Sequence, residues 1–188
     1  MVRICTTVVG ILAALATASL GKPVGIQTSV ADVQQDMEYI RLDSLPKLTS
    51  AVQNLGSSPD EVTGSQVQAL NSGAVGLLNA LNKLDSDIKG VPSVSSDEAA
   101  RVLGTLEEAH PKIVSPIDEL KGKSTAFTGN KTGLKTPIHV QMGKLKTVYV
   151  KMADDFLEKS PEGPWKDSGM ALRSDAIQHF DECLKAFA

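Results

Sequence analysis

The chain contains few residues of the types that catalyse reactions, and their spacing does not assemble a recognised site. The three histidines are His110, His139 and His179, and none has an H-x-x-x-H or H-E-x-x-H partner that would place two ligands on one helix face. Cys183 has no neighbouring base in the sequence, and neither a G-x-S-x-G elbow nor a phosphate loop occurs. We therefore expect neither a metal nor another cofactor.

Acidic residues stand in adjacent pairs at three places in the chain: Glu107–Glu108, Asp154–Asp155 and Asp181–Glu182. Adjacent residues of a helix point to different faces, so a pair of this kind does not share a proton or a cation. We interpret these pairs as solvated helix surface. The sequence therefore predicts a protein that is not an enzyme, and a hydrolase built from distant residues is the alternative.

The composition narrows the class of protein further. With a net charge of −3, the 188-residue chain lacks the basic surface that nucleic acids require. Hydrophobic residues make up 41% of the chain, which is too many for a disordered protein. Aromatic residues make up only 4%, so we expect an aliphatic core and no stacking platform for sugars or bases.

The N-terminus has the pattern of a secretory signal peptide. Met1–Arg3 carries a positive charge, an uncharged apolar run follows from 4 to 15, and Ala16 and Ala18 fit an A-x-A cleavage site. We predict a cleaved leader at residues 1–18 and one secreted domain at 19–188. Cleavage near Gly21 and an uncleaved anchor are the alternatives. Because a membrane span needs about 20 apolar residues, we expect no transmembrane anchor.

Removal of this leader would leave Cys183 as the one cysteine of the mature chain, since Cys5 lies within the leader. An internal disulfide would then be impossible, and core packing would have to supply the stability. Cys183 stands among apolar residues of the last predicted helix, which favours a buried, inert thiol. A mixed disulfide dimer is the alternative.

The rest of the chain has the three-and-four residue spacing of amphipathic helices. Five segments show it, at 28–55, 62–89, 95–120, 136–158 and 165–187. The first has a one-residue drift near Ser44, and Pro46 should kink or restart the helix there. Pro111 and Pro116 predict either one long kinked helix or two helices in the third segment. The sequence therefore predicts an all-α fold, a single bundle of about five amphipathic helices.

Local signals predict how two of these helices begin. Ser95 and Glu98 form a capping box for the third helix. Thr136 as N-cap and Pro137 at the first helical position would start the fourth. The preceding stretch, 129–135, is predicted as a loop. It contains the sequon Asn130-Lys131-Thr132, which makes Asn130 the candidate glycosylation site of a secreted protein.

The wide apolar stripes allow two interpretations, a dry core or an apolar lining for an acyl chain between the helices. Methionines suit an adaptable lining, and Tyr149 is the one stripe residue whose hydroxyl could reach a carboxylate head group, unless it is an ordinary core tyrosine. The candidate lining residues are Met37, Ile40, Leu77, Leu81, Leu106, Ile113, Met142, Leu145, Tyr149, Met152, Phe156, Ile177 and Phe180.

Two stretches carry a resemblance to a known family. They are SVADVQQDMEYIRLDSLPKLTSAV at 29–52 and IVSPIDELKGKSTAF at 113–127. Together with a glycine-bearing loop and two closing helices, they make the chain resemble the fungal hydrophobic surface-binding protein A and cell-wall galactomannoprotein family, over almost all of the mature chain.

This resemblance implies a secreted, non-catalytic helical domain that binds fatty acids or hydrophobic surfaces. Some members adsorb to such surfaces and assist extracellular hydrolases there, and others are cell-wall mannoproteins. The chain ends after a helix at Ala188, with neither a Ser/Thr-rich stalk nor a GPI signal, so we expect a released or loosely wall-associated protein. The alternative is a secreted adhesin, antigen or effector that engages a host or cell-wall partner through its surface, without a bound lipid.

Overall fold

The computed structural model describes residues 28–188, and the predicted leader with its cleavage site lies outside the described residues. The helices are α1 (Val30–Tyr39), a π-helical turn (Ile40–Ser44), α2 (Leu45–Gln53), α3 (Gly64–Gly90), α4 (Ser96–Gly122), α5 (Lys135–Lys159) and α6 (Pro164–Ala186). Because α1, the π turn and α2 run on without a break, residues 28–188 form five helical rods. Between residues 28 and 188 there is no β-strand, and the prediction of an all-α bundle is confirmed.

The π turn explains the irregularity of the first rod. The Leu45 N–H donates to the carbonyl of Ile40, five residues back, so this turn holds one residue more than an α-helical turn. The additional residue accounts for the drift of the apolar pattern near Ser44. It also widens the backbone just before Pro46, whose ring would crowd the preceding carbonyls of a regular α-helix.

α4 is one helix that passes through both of its prolines. Pro111 and Pro116 lie inside Ser96–Gly122 without ending it, which resolves the two alternatives in favour of a single long helix. The predicted capping box is confirmed, because the Ser95 N–H donates to a Glu98 carboxylate oxygen at 2.9 Å and the Ser95 hydroxyl accepts from the Glu98 N–H.

The predicted start of the fourth helix is wrong. Residues Gly129–Leu134 form a 3₁₀ helix rather than a loop, and α5 continues from it at Lys135 with Leu134 in the N-cap position. The backbone of Leu134 is already helical, so a side-chain cap at Thr136 is not required. Pro137 lies in the first turn of α5, where a backbone N–H has no intrahelical partner to lose.

The rods pack around one aliphatic core. α3 packs along α5, α4 packs along α6, and the first rod lies against α3 and α4. At one end of the bundle the Phe127 and Phe187 rings meet edge to face, with centroids 5.4 Å apart.

Cys183 is fully buried, as predicted, and this burial raises the pKa of its thiol to about 12.

Candidate functional site

Most of the predicted lining residues meet in the bundle interior. Eleven of the thirteen belong to one buried cluster: Met37, Ile40, Leu77, Leu81, Ile113, Met142, Leu145, Tyr149, Met152, Phe156 and Phe180. Leu106 is half-buried and packs against this cluster. Ile177 is also half-buried and lies outside it, because the neighbouring Ala176 faces the core instead.

The interior is packed in this conformation. Three apolar pockets lie between the rods, with volumes of about 20, 10 and 10 Å³. A pocket of this size holds no more than about one water molecule. An acyl chain would therefore enter only where rods move apart, and it would displace side chains that now contact one another.

The largest of these three pockets gathers four of the predicted residues. It lies between α4, α5 and α6, and we call it the α4–α5–α6 pocket; its lining is Leu106, Tyr149, Met152, Ala153, Phe156, Leu157, Gly169, Leu172 and Arg173. Every lining residue except Tyr149 and Arg173 is apolar. Arg173 was not among the predicted residues, since it lies outside the apolar stripe of its helix.

Arg173 reaches across from α6 to Asp154 of α5. Its Nε lies 2.7 Å from Asp154 Oδ1, and one terminal nitrogen donates to Asp154 Oδ2 at 3.0 Å. The Nε atom is buried, yet despite this short distance its N–H makes no well-directed hydrogen bond. Asp154 is 53% exposed, so the acidic side of this ion pair lies toward solvent.

Tyr149 lies deeper in the same pocket. Its side chain is 4% exposed, and its ring stands tilted against Phe180 with centroids 6.1 Å apart. Burial raises the pKa of the phenol to about 12; the negative charge of Asp175 also acts to raise it, and the positive charge of Arg173 opposes both. The phenol therefore stays protonated at neutral pH, and both charged groups lie close enough to affect it.

Histidines and acids join α4 to α6 beside this pocket. Asp175 lies 2.7 Å from His110 Nε2 and 3.5 Å from His179 Nε2, and His179 Nδ1 lies 2.8 Å from Asp118. The third histidine, His139, lies 3.1 Å from the carbonyl oxygen of Leu184. Among residues 28–188, no group of three or more His, Cys, Asp or Glu side chains has an arrangement that could hold a metal ion.

Two larger spaces are open grooves on the surface, and their charges differ. A groove of about 750 Å³ between α1 and α3 is lined by Asp32, Asp36, Asp87 and Lys83 among other residues. A second groove, of about 810 Å³, lies between the first rod and α4, and its charged lining residues are Arg41 and Lys112. Leu42, which is 66% exposed, lies along the second groove.

Two further observations concern the surroundings of the protein. Asn130 lies in the 3₁₀ helix Gly129–Leu134, on the connection between α4 and α5. Across residues 28–188, none of the helices combines the length and the apolar character that a membrane crossing requires.

The sequence of this chain matches the profile of one known protein family. The sequence profile of the family described as hydrophobic surface binding protein A matches residues 25–156. Among curated proteins, none matches the sequence of this chain significantly.

Three solved structures share the fold. AfMP4p, in complex with palmitic acid, has a TM-score of 0.75 at 16% identity, over 85% of this chain and 100% of that one. Ligand binding domain 2 of Penicillium marneffei MP1, complexed with multiple arachidonic acids, has a TM-score of 0.73 at 16% identity, over 87% and 98% of the two chains. Domain 1 of the same protein, complexed with arachidonic acids, has a TM-score of 0.66 at 18% identity, over 85% and 99%.

Proposed function

Since the chain belongs to the hydrophobic surface binding protein A family, we propose that it binds fatty acids or other apolar ligands between its helices and catalyses no reaction on them. The observation that carries the proposal is the continuous buried stripe of α5, from Ile138 to Phe156, in a fold whose similar structures hold palmitic and arachidonic acids. The lining residues predicted from the sequence provide the apolar wall.

The packing of the interior suggests how a ligand is accommodated. Met142 and Met152 are unbranched and flexible, so they can change rotamer without forcing the backbone to move far. The α4–α5–α6 pocket is the place where the rods would separate, because it is the largest of the three small voids described above. When α6 moves away from α5, the ligand would pack against the stripe in place of the α6 side chains.

We propose that the protein is secreted from the cell. The support is the leader pattern at 1–18, which predicts a mature N-terminus at Ser19. In that setting Asn130 is the candidate glycan acceptor. Hydrophobic surfaces, the cell wall and extracellular hydrolases are the proposed surroundings and partners.

Mass spectrometry and titration test the binding proposal. An organic extract of purified protein should contain fatty acids, and delipidated protein should bind palmitic acid in a saturable manner, with displacement of a fluorescent fatty acid as the readout. Extracts without lipid together with no saturable binding would overturn the proposal.

A matched pair of variants tests the position of the site. Ala153→Trp places an indole in the α4–α5–α6 pocket and should weaken palmitic acid binding at least tenfold. Ala100→Trp, on an exposed face of α4, should leave it unchanged. Equal effects of the two substitutions would argue against this pocket as the binding site.

Two measurements test the cellular setting. N-terminal sequencing of protein from the culture medium should begin at Ser19, and an intact Met1 would contradict cleavage. Asn130→Gln should increase electrophoretic mobility if the glycan is attached, and an unchanged mobility would show an unused sequon.

A further inference from the structure

We propose that Arg173 binds the carboxylate of an acyl ligand at the entrance of the α4–α5–α6 pocket, where the ligand takes the place of Asp154. This inference rests on the proposed function and adds the group that would select acids over neutral lipids. Three properties of the site support it: the position of the guanidinium, the poor alignment of one of its hydrogen bonds, and the exposure of its present partner.

Among the residues that line the pocket, Arg173 alone carries a charge. Its side chain, which belongs to α6, lines the pocket together with Leu106 and Leu172 and is 29% exposed, so it marks the boundary between water and the interior. A fatty acid needs this arrangement, because its carboxylate must remain solvated or paired while its chain enters the apolar space. A planar guanidinium can grip both carboxylate oxygens at once, which an ammonium group cannot do.

The two hydrogen bonds that Arg173 could make with Asp154 differ in direction. A terminal nitrogen donates to Asp154 Oδ2 at 3.0 Å, whereas the buried Nε lies 2.7 Å from Oδ1 but its N–H does not point at that oxygen. A poorly aligned hydrogen bond is weaker than a well-aligned one. A ligand carboxylate that approached from the pocket side could accept from both nitrogens and would remove this defect.

Asp154 can leave at little cost. It is half-exposed on the surface of α5, and an exposed ion pair contributes little to stability because water solvates both partners well. The nearby Asp175, which would repel a second carboxylate, is 52% exposed and lies against His110 and His179, so solvent weakens its effect on the site. The positive charge of Arg173 therefore remains available to an incoming anion.

Tyr149 and the stripe beyond it continue the path inward. Tyr149 lines the same pocket as Arg173, and its buried phenol stays protonated at neutral pH, so it offers an O–H donor on the inner side of Arg173. Met152 and Phe156 follow on α5 at intervals of three and four residues, on the same helix face. An acyl chain whose head lies at Arg173 would extend along these side chains.

Affinities for palmitic acid and for its methyl ester test this assignment, because the two ligands share a chain and differ in charge. We expect the wild-type protein to bind the acid about 10- to 100-fold more tightly than the ester, the gain of a charge-assisted hydrogen bond in a sheltered site. Arg173→Gln should abolish this preference while the affinity for the ester stays the same. Arg101→Gln, on the exposed face of α4, is the matched control and should retain the preference.

Two additional variants separate recognition from folding. Arg173→Lys keeps the charge but loses the planar fork, so it should retain only part of the preference. Asp154→Asn removes the competing carboxylate and should increase the affinity for the acid several-fold. A purely structural role for Arg173 would change thermal stability without changing the ratio of the two affinities.

The outcomes distinguish the two proposals. If the wild-type protein binds neither ligand, the proposed function fails. If it binds both equally, or if Arg173→Gln retains the preference for the acid, the role of Arg173 is overturned while the binding function stands.

Discussion

The ammonium group of Lys123 lies 2.9 Å from the carbonyl oxygen of Val52, in the last turn of α2. It also donates to the carbonyls of Gln53 and Leu55, at 2.9 and 2.8 Å. The last four carbonyls of a helix have no partner within the helix, and the helix dipole makes this end negative. Lys123, at the end of α4, therefore caps the first rod and fixes it to the rest of the bundle.

Lys123→Met should lower the free energy of unfolding by about 1–3 kcal/mol, because it leaves these sheltered carbonyls without a donor while keeping an apolar side chain of similar length. Urea denaturation measures the change. Lys112→Met, on the exposed face of the same helix, should change stability by less than about 0.5 kcal/mol. Equal effects at the two positions would show that the capping contacts contribute nothing.

Asp85 should make the bundle sensitive to acid. This buried residue of α3 accepts from Lys89 at 2.9 Å and from Lys151 of α5. Burial acts to raise its pKa, but hydrogen bonds with Asp155, Lys151 and Lys89 outweigh burial and lower the pKa to about 2. An unfolded aspartate has a pKa of about 3.9, so the stabilisation is complete above that pH and is lost as the pH falls through about 2.

Asp85→Asn should therefore flatten the loss of stability between pH 4 and pH 2, while it destabilises the protein at neutral pH. Thermal unfolding followed by circular dichroism over this range gives both quantities. Asp60→Asn, in the exposed turn after α2, is the control and should keep the wild-type dependence on pH. An unchanged slope in Asp85→Asn would assign the acid sensitivity to other carboxylates.

Periodicity predicted the helices well, because each rod buries one face against the same core. Even the drift near Ser44 had a structural cause, since the π turn inserts one residue into the first rod. The failure at Thr136 has the opposite origin: a favourable local cap was overridden by the preceding 3₁₀ helix, which delivers a helical backbone to Lys135. A residue that favours the N-cap position does not start a helix where the backbone before it is already helical.

The polar groups of the site could not be predicted in the same way. Arg173 and Asp154 are 19 residues apart and lie on different helices, so only the packing of α6 against α5 brings them together. Lys123 and Val52 are separated by 71 residues. The apolar residues of a helix face one core, so their spacing in the sequence identifies them. Whether two charged residues of different helices form an ion pair depends on the register between those helices, which the sequence does not show.

The Phe127 ring should be a major source of stability at the end of the bundle. It is fully buried and meets Phe187 edge to face, so its removal leaves a cavity that the surrounding helices cannot close completely. Phe127→Ala should lower the free energy of unfolding by about 3–5 kcal/mol in urea denaturation. Tyr39→Ala removes an aromatic ring that is 55% exposed and should cost much less. Similar losses for the two would contradict the packing role of Phe127.

Cys183 should be unreactive in the folded protein and should not form disulfide dimers. Only the thiolate reacts, and burial raises the pKa of this thiol to about 12, with Lys121 and Asp118 acting in opposite directions. Protein that begins at Ser19, and so lacks Cys5, should resist iodoacetamide at pH 8 and react readily in guanidinium chloride. Cys183→Ser gives the background of the assay. Fast labelling of folded protein, or a reducible dimer on a gel, would show that the last helix opens and exposes its thiol.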